Sequence, residues 1–293
     1  MSEKIIDEPT GVETTGHSWD GIAELNNPLP RWWLYIMYAT IVFAIVYMIL
    51  YPSVPLINQA TPGLLGYSSR ADVEGELTRV AATRAELDQQ IASLSFQEIA
   101  ANPTLSDYAR RSGASAFKMA CVQCHGSGAA GSQQYGYPNL NDDDWLWGGS
   151  IEDIFTTITH GVRSEDDADA RSSLMPAFGA MGMLNRNQIS DVAHYVLSLS
   201  GSDEAGDAEA EARGAEVYTA QCAVCHGVNG EGNQSVGAPR LSDPIWLYGG
   251  TYEDIVRQVS NPHMGVMPAW SVRFDDATRK ELAIFVHSLG GGQ

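Results

Sequence analysis

Cys121-Val122-Gln123-Cys124-His125 is the stretch on which the reading turns, and Cys222-Ala223-Val224-Cys225-His226 repeats it 101 positions later. Together the two runs use all four cysteines of the 293-residue chain. A Cys-x-x-Cys-His run is the attachment signal for a c-type haem. Two thiols add to the two vinyl groups of one porphyrin, and the next residue, an imidazole, reaches the iron from the same side. The sequence therefore predicts two covalently attached haem c groups, one on Cys121 and Cys124 and one on Cys222 and Cys225, with His125 and His226 as iron ligands. A four-thiolate zinc site fits less well, because zinc ribbons separate their pairs by only about 15–20 residues. A thioredoxin-like redox pair lacks the βαβ pattern it needs.

Working outward, the two motifs sit in a longer repeat. Gly113-Ala114 and Phe117 precede the first motif at the offsets that Gly214-Ala215 and Tyr218 keep before the second. Pro138-Asn139-Leu140 answers Pro239-Arg240-Leu241, and Trp145-Leu146-Trp147-Gly148-Gly149 answers Trp246-Leu247-Tyr248-Gly249-Gly250. Met175-Pro176-Ala177-Phe178 answers Met267-Pro268-Ala269-Trp270. One small haem domain thus occurs twice, over 105–201 and 202–293, each copy so short that a haem must supply much of its core.

The repeated Met-Pro pair proposes the sixth ligands, since histidine–methionine ligation is the cytochrome c arrangement and raises the reduction potential. In chain order Met175 is expected on the first haem and Met267 on the second. The plainer reading is that these methionines fill core space. Met181, Met183 and Met264 are nearby rivals without a partner in the other copy, and His160 or His263 would give a lower-potential bis-histidine site. His194 and His287 are expected on helix surfaces. Pro138 and Pro239 are placed to orient the proximal imidazoles through their carbonyls. Trp145, Trp147, Trp246 and Tyr248 either cover haem edges or pack the core. The copies differ by an acidic insertion, Ser164-Glu165-Asp166-Asp167-Ala168-Asp169, a docking patch or simply a solvated loop.

Helical spacing covers most of the rest. Ser106 is the expected N-cap of a helix running to Ala120, 209–221 is its counterpart, and Ile189, Val192, Ala193, Val196 and Leu197 share one face of another. Asp275 or Asp276 starts the last helix. No run of alternating strands is visible, so the fold class is all-α.

Residues 32–51 carry no charge over 20 positions. At about 1.5 Å per residue they span about 30 Å, the hydrocarbon thickness of a bilayer. Trp32, Trp33 and Tyr35 mark one interface and Tyr47 and Tyr51 the other. A cleaved signal peptide fits poorly, given the 31 residues before the segment and no small-residue cleavage site after it. Residues 1–31 are then a cytoplasmic tail, 32–51 a single anchor in membrane lipid, and 52–104 a periplasmic spacer whose Val73, Leu77, Val80, Leu87, Ile91 and Leu94 form a rough helical stripe. The haem domains are expected outside the cytoplasm, where haem c is attached. A net charge of −19 argues against nucleic acid as a partner and suits a basic electron donor.

Asp20-Gly21-Ile22, Asn27-Pro28-Leu29-Pro30-Arg31-Trp32-Trp33, the anchor ending in Tyr51-Pro52, Thr61-Pro62-Gly63-Leu64-Leu65-Gly66-Tyr67 and the tandem haem domains together resemble the dihaem c-type subunit of cbb3-type cytochrome c oxidases. The resemblance spans essentially the whole chain. It implies an electron-transfer subunit of the bacterial inner membrane, a periplasmic donor cytochrome c, and two partners: a monohaem cytochrome subunit and a haem–copper catalytic subunit that reduces oxygen and pumps protons. This chain then carries electrons and has no oxygen-reducing site of its own. Two other classes are weighed against it. A dihaem subunit of a membrane-bound dehydrogenase would differ in its partner, and a dihaem peroxidase would need one displaceable ligand, against the matched Met-Pro pairs.

Overall fold

The computed structural model describes residues 5–204, 206 and 208–292. They fall into two units, 1–81 and 82–293.

The first unit opens with a β-hairpin, β1 (Thr14–Trp19) antiparallel to β2 (Ile22–Leu25), in which Trp19 faces Ile22 and Ser18 faces Ala23. Asp20 and Gly21 form its turn, both at positive φ (51° and 85°). That is the two-residue turn whose twist matches paired strands, and Asp-Gly is its usual sequence. This small hairpin is an addition to the expected all-helical fold; its strands are too short and polar to show an alternating pattern.

Helix α1 (Arg31–Leu50) starts directly after Pro30, whose fixed φ suits a helix entrance. None of its residues is buried in the protein. With 20 residues and a mean hydropathy of 2.2, it is long and apolar enough to cross a bilayer. Its last carbonyls need partners. The amides of Leu64 and Leu65 donate to Ile49 and Leu50 at 2.9 and 3.0 Å. Gly63, at φ 68°, makes that return possible, since a Cβ there would strike the Leu50 carbonyl.

Helix α2 (Ser69–Ser93) is polar along most of its length. Its expected apolar stripe divides: Val73, Leu77 and Val80 are exposed, whereas Ile91 is fully buried. In the second unit Ile91, with Leu87 and Leu94, packs on Ile99, Leu105 and Ala109 of α3 (Phe96–Ala101) and α4 (Pro103–Ala120). Helix α4 begins earlier than expected. Asn102 accepts the amides of Thr104 and Leu105 and Pro103 takes the first position, so Ser106 lies inside the helix.

The remaining helices are the one-turn α5 (Val122–His125), α6 (Ile151–His160), α7 (Arg186–Leu199), α8 (Ala208–Gln221), the one-turn α9 (Ala223–His226), α10 (Tyr252–Ser260) and α11 (Asp276–His287). Side-chain caps fix several starts, among them Ser150 on α6, Asn185 with Gln188 on α7, and Asp275 on α11.

The two repeats do not close on themselves. Helix α4 of the first copy packs on α11 of the second, together with α6, around Phe117, Ile154, Ile158, Leu282 and Val286. Helix α8 of the second copy packs on α7 of the first, together with α10, around Val192, Val196, Leu197, Tyr218 and Ile255. The repeated glycines explain the tightness of both crossings. A Cβ on Gly113 would collide with the Glu281 carbonyl, and one on Gly214 with the Asp191 carbonyl. Four residues on, Phe117 meets Phe285 at 5.3 Å between ring centroids, and Tyr218 meets Tyr195 at 5.2 Å. Each core is therefore built from both repeats.

Candidate haem sites

In both copies the N-terminal helix ends at the first cysteine and a single helical turn carries the second cysteine and the histidine. Gly126 and Gly227, at φ 79° and 80°, end those turns. His125 Nδ1 lies 3.2 Å from the Pro138 carbonyl, and His226 Nδ1 lies 3.0 Å from the Pro239 carbonyl. A carbonyl only accepts, so each Nδ1 carries the proton and each Nε2 keeps its lone pair. This is the orienting bond expected of the two prolines. Burial lowers the pKa of both imidazoles against the opposing effect of the proline carbonyls, which favours the neutral, ligating form. Burial, helped by the neighbouring Cys124, pushes the Cys121 thiol up to about 11; burial and Cys225 do the same for Cys222, also to about 11.

Cys121, Cys124 and His125 open onto a cavity of about 340 Å³, walled by Phe117, Ile154, Ile158, Leu282 and Val286 and by Trp145 and Trp147. Met267 lines the same cavity. It is held there by a two-way backbone pairing: Val162 N–H donates to Met267 O at 2.9 Å, and Met267 N–H to Val162 O at 3.0 Å. Met175 packs instead on the cluster that contains Cys222, Tyr218, Ile255 and Val259. The pairing read from chain order, Met175 with His125 and Met267 with His226, is thus reversed. The physical reason is the exchange of α7 and α11: each methionine precedes the last helix of its repeat and travels with it to the other haem motif.

Four of the rival ligands are exposed or already engaged. Met181 and Met183 are exposed. His160 is engaged by the Asp167 carboxylate at 3.0 Å, and His263 is exposed, its carbonyl accepting from Gln258. His194 stacks on Tyr252 at 4.7 Å and is half-buried rather than at the surface, as is His287. Trp145, Trp147 and Tyr248 all line the first cavity, Tyr248 reaching it from the second copy. The exchange is reciprocal at the loops: the Tyr248 ring occupies the space above Gly136, and the Trp147 ring that above Gly237. Trp246 joins the second cluster.

One functional candidate escaped the sequence. Arg163 lines the first cavity, half-buried, with its guanidinium on the carbonyls of Gly265 (2.8 Å) and Ser173 (3.3 Å). Burial lowers its pKa. A cation at the wall of an apolar cavity fits the propionate of a haem, and its only signal in the sequence is its place two residues beyond the Gly161 that ends α6. Neutral imidazoles with committed Nδ1 protons, paired thiols beside them, an apolar cavity and a thioether on its wall are the donor set a haem c takes.

Residues 11–58 match the family model described as the N-terminal domain of cytochrome oxidase-cbb3, FixP. Residues 109–196 and 209–286 each match the model for cytochrome C oxidase, cbb3-type, subunit III. A cbb3-type cytochrome c oxidase subunit CcoP of Cereibacter sphaeroides is 52% identical over 98% of this chain and 97% of its own length. The chain belongs to this family. Cbb3-type subunits FixP of Sinorhizobium medicae and Rhizobium meliloti are each 53% identical over 99% of the chain and 98% of their own length. As a member of the cbb3 subunit III family, the chain is a membrane-oxidase subunit with c-type haem domains and a candidate membrane-spanning helix in α1.

Proposed function

We propose that this chain carries two covalently bound haem c groups and relays electrons from a donor cytochrome c, through a monohaem subunit, to the haem–copper subunit of a cbb3-type oxidase. Cys121 and Cys124 would hold the first haem, with His125 and Met267 binding its iron; Cys222 and Cys225 would hold the second, with His226 and Met175. Each haem would supply a one-electron ferric–ferrous couple, and with a histidine and a methionine both committed to its iron, oxygen reduction and proton pumping would belong to the catalytic subunit. The carbonyls of Pro138 and Pro239 hold the imidazoles in their ligating tautomer. The aromatic side chains of Trp145, Trp147 and Tyr248 exclude water from the first cavity, and Arg163 offers a counter-charge to propionate. Residues 1–31 are cytoplasmic, 32–51 span the inner membrane, and 52–293 are periplasmic, with a spacer over 52–104 and the haem-binding repeats over 105–201 and 202–293.

The observation that supports this best is the apolar cavity that brings Met267 to the wall shared by Cys121, Cys124 and His125. The test is purification of the membrane complex through a tag on this chain, with haem-stained gels and oxygen uptake on reduced cytochrome c. Co-purification of a monohaem and a haem–copper subunit with oxygen uptake is expected. Arrival with a dehydrogenase, or peroxide turnover by the chain alone, would contradict it.

A further inference from the structure

The two haem motifs present opposite surfaces at equivalent positions. Over 103–131 the first copy carries Arg110, Arg111 and Lys118 against Asp107, a net of +2. Over the equivalent 204–232 the second carries Glu204, Asp207, Glu209, Glu211, Glu216 and Glu231 against Arg213, a net of −5. Arg110 is replaced by Glu211, Ser115 by Glu216 and Ala130 by Glu231. The turn that bears the second cysteine differs as well. Where the first copy has Gln123 and Ser127, the second has Val224 and Val228, 84% and 69% exposed, on either side of the exposed Cys225 and of His226.

Two bare valines beside a haem-attaching cysteine have no role in either core. The Glu231 carboxylate lies against Gly227 and accepts the Asn229 amide at 2.8 Å, so it stands on the turn that follows His226. Its own backbone amide, with those of Asn229 and Val228, holds it below the usual carboxylate range, and it stays charged. An apolar contact at the cofactor edge with anionic surroundings is the complement of a small electron carrier whose own edge is ringed by lysines. Apolar contact at the centre permits close approach, while the surrounding charge steers encounter and orientation. The positive face of α4 beside the first motif would repel the same carrier.

We infer that a basic c-type cytochrome docks on the Val224–Val228 edge of the second haem motif, so that electrons enter this chain at the Cys222–Cys225 haem and leave from the Cys121–Cys124 haem. This rests on the donor-cytochrome reading above and adds the docking face and the direction of flow. The surface most opposed to it is the acidic loop of the first copy. Glu165, Asp166 and Asp169 are exposed there, and the loop is tied to the Met267 side of the first cavity through Ser164, which accepts the Ala269 amide at 3.2 Å.

The test uses the intact oxidase complex and stopped-flow reduction of its haem c by a reduced basic cytochrome c at low ionic strength. The double reversal E216K/E231K is expected to slow the bimolecular step about tenfold and flatten its salt dependence. The milder E216Q/E231Q should slow it by about threefold, which guards against a folding artefact of the reversal. The loop reversal E165K/D166K should change it by less than about twofold. Slowing by the loop variant alone would overturn the inference and place docking at the first haem. Unchanged rates in all three variants would overturn it too. A wild-type complex that consumes oxygen with ascorbate and a small-molecule mediator, yet takes nothing from basic cytochromes, would overturn the donor reading itself, a failure distinct from the other two.

Discussion

The two repeats agree inside and disagree outside. Inside, they share a proline carbonyl on the motif histidine, a glycine where two helices cross, an aromatic pair at that crossing, and a methionine placed beside the motif by the other repeat. Outside, one motif is flanked by arginine and lysine and the other by glutamate and bare valine. The difference teaches which demands come from the haem and which from the partners. An axial ligand pair and a close-packed crossing tolerate little change of volume or position. A solvated helix face tolerates almost any charge until something must dock on it.

The most drastic way to break the comparison is to separate the copies. Residues 105–201 expressed alone keep Cys121, Cys124 and His125 but lose α11 and Met267, and Met175 loses α8. That fragment is expected to lack a stable helical core, and circular dichroism with thermal unfolding will show no cooperative transition where the full chain has one. A fragment that folds as stably as the parent would mean that each repeat closes on itself.

Next in size are the crossings. Gly113→Leu and Gly214→Leu each force a side chain into a neighbouring backbone carbonyl. Overpacking of this kind costs about 1–3 kcal/mol or more. Because the crossings are equivalent, similar losses are expected at both, measured by denaturant unfolding of the full chain. A large loss at one and none at the other would end the equivalence.

A smaller effect is specific to the first core. Glu281 on α11 is 1% exposed, and burial pushes its carboxyl up to about 7. Ser112 donates to it at 2.6 Å, while Arg84 stands 3.8 Å away and binds Tyr108 and Ser112. Asp88 faces the same group through Tyr108, and Asp275 adds to the shift. An acid whose folded pKa is raised binds more protons folded than unfolded. Its contribution is complete below the unfolded value near 4.5 and is lost as pH rises through about 7. Tm should therefore fall between pH 5 and pH 8, and Glu281→Gln should remove most of that slope. The second core has Asp191 of α7 at this place, ion-paired with Arg213 at 2.9 Å and more accessible than Glu281. An unchanged slope in the Glu281→Gln variant would locate the titration elsewhere.

The smallest effect lies in the first unit. Gly21 holds φ 85° with open space around it, so Gly21→Ala meets backbone strain alone. The loss should be about 1 kcal/mol or less and confined to the hairpin. Amide exchange of β1 and β2 would rise while that of the haem cores stays unchanged; a change in the cores would contradict this.

Most of the architecture was legible because its signals are local. The cysteine spacing, the uncharged run of 32–51 and the Asp275 cap of α11 each need only a few neighbouring residues. The hairpin was not read, although Asp20-Gly21 is a turn pair, because its strands are short and polar. What stayed hidden was the exchange of α7 and α11, since a repeat read along the chain pairs each histidine with the next methionine, and nothing in either Met-Pro motif says which cavity it faces. The repeated glycines carried a partial signal: Gly113 and Gly214 mark close crossings, but the sequence does not name the helix that crosses. Arg163 stayed hidden for the same reason, because its cavity is assembled from residues more than 100 positions apart, Gly265 and Met267 among them.

One measurement tests directly whether each haem takes its methionine from the other repeat. In a chain with Cys222 and Cys225 replaced by serine, only the first haem can be attached. The weak long-wavelength band of iron–methionine charge transfer and the midpoint potential are then recorded with Met267→Ala or Met175→Ala added. With the methionines exchanged, Met267→Ala is expected to abolish the band and lower the potential by roughly 0.1–0.3 V, within the range over which axial ligands tune haem, while Met175→Ala leaves both in place. Loss of the band with Met175→Ala and its survival with Met267→Ala would contradict the exchange.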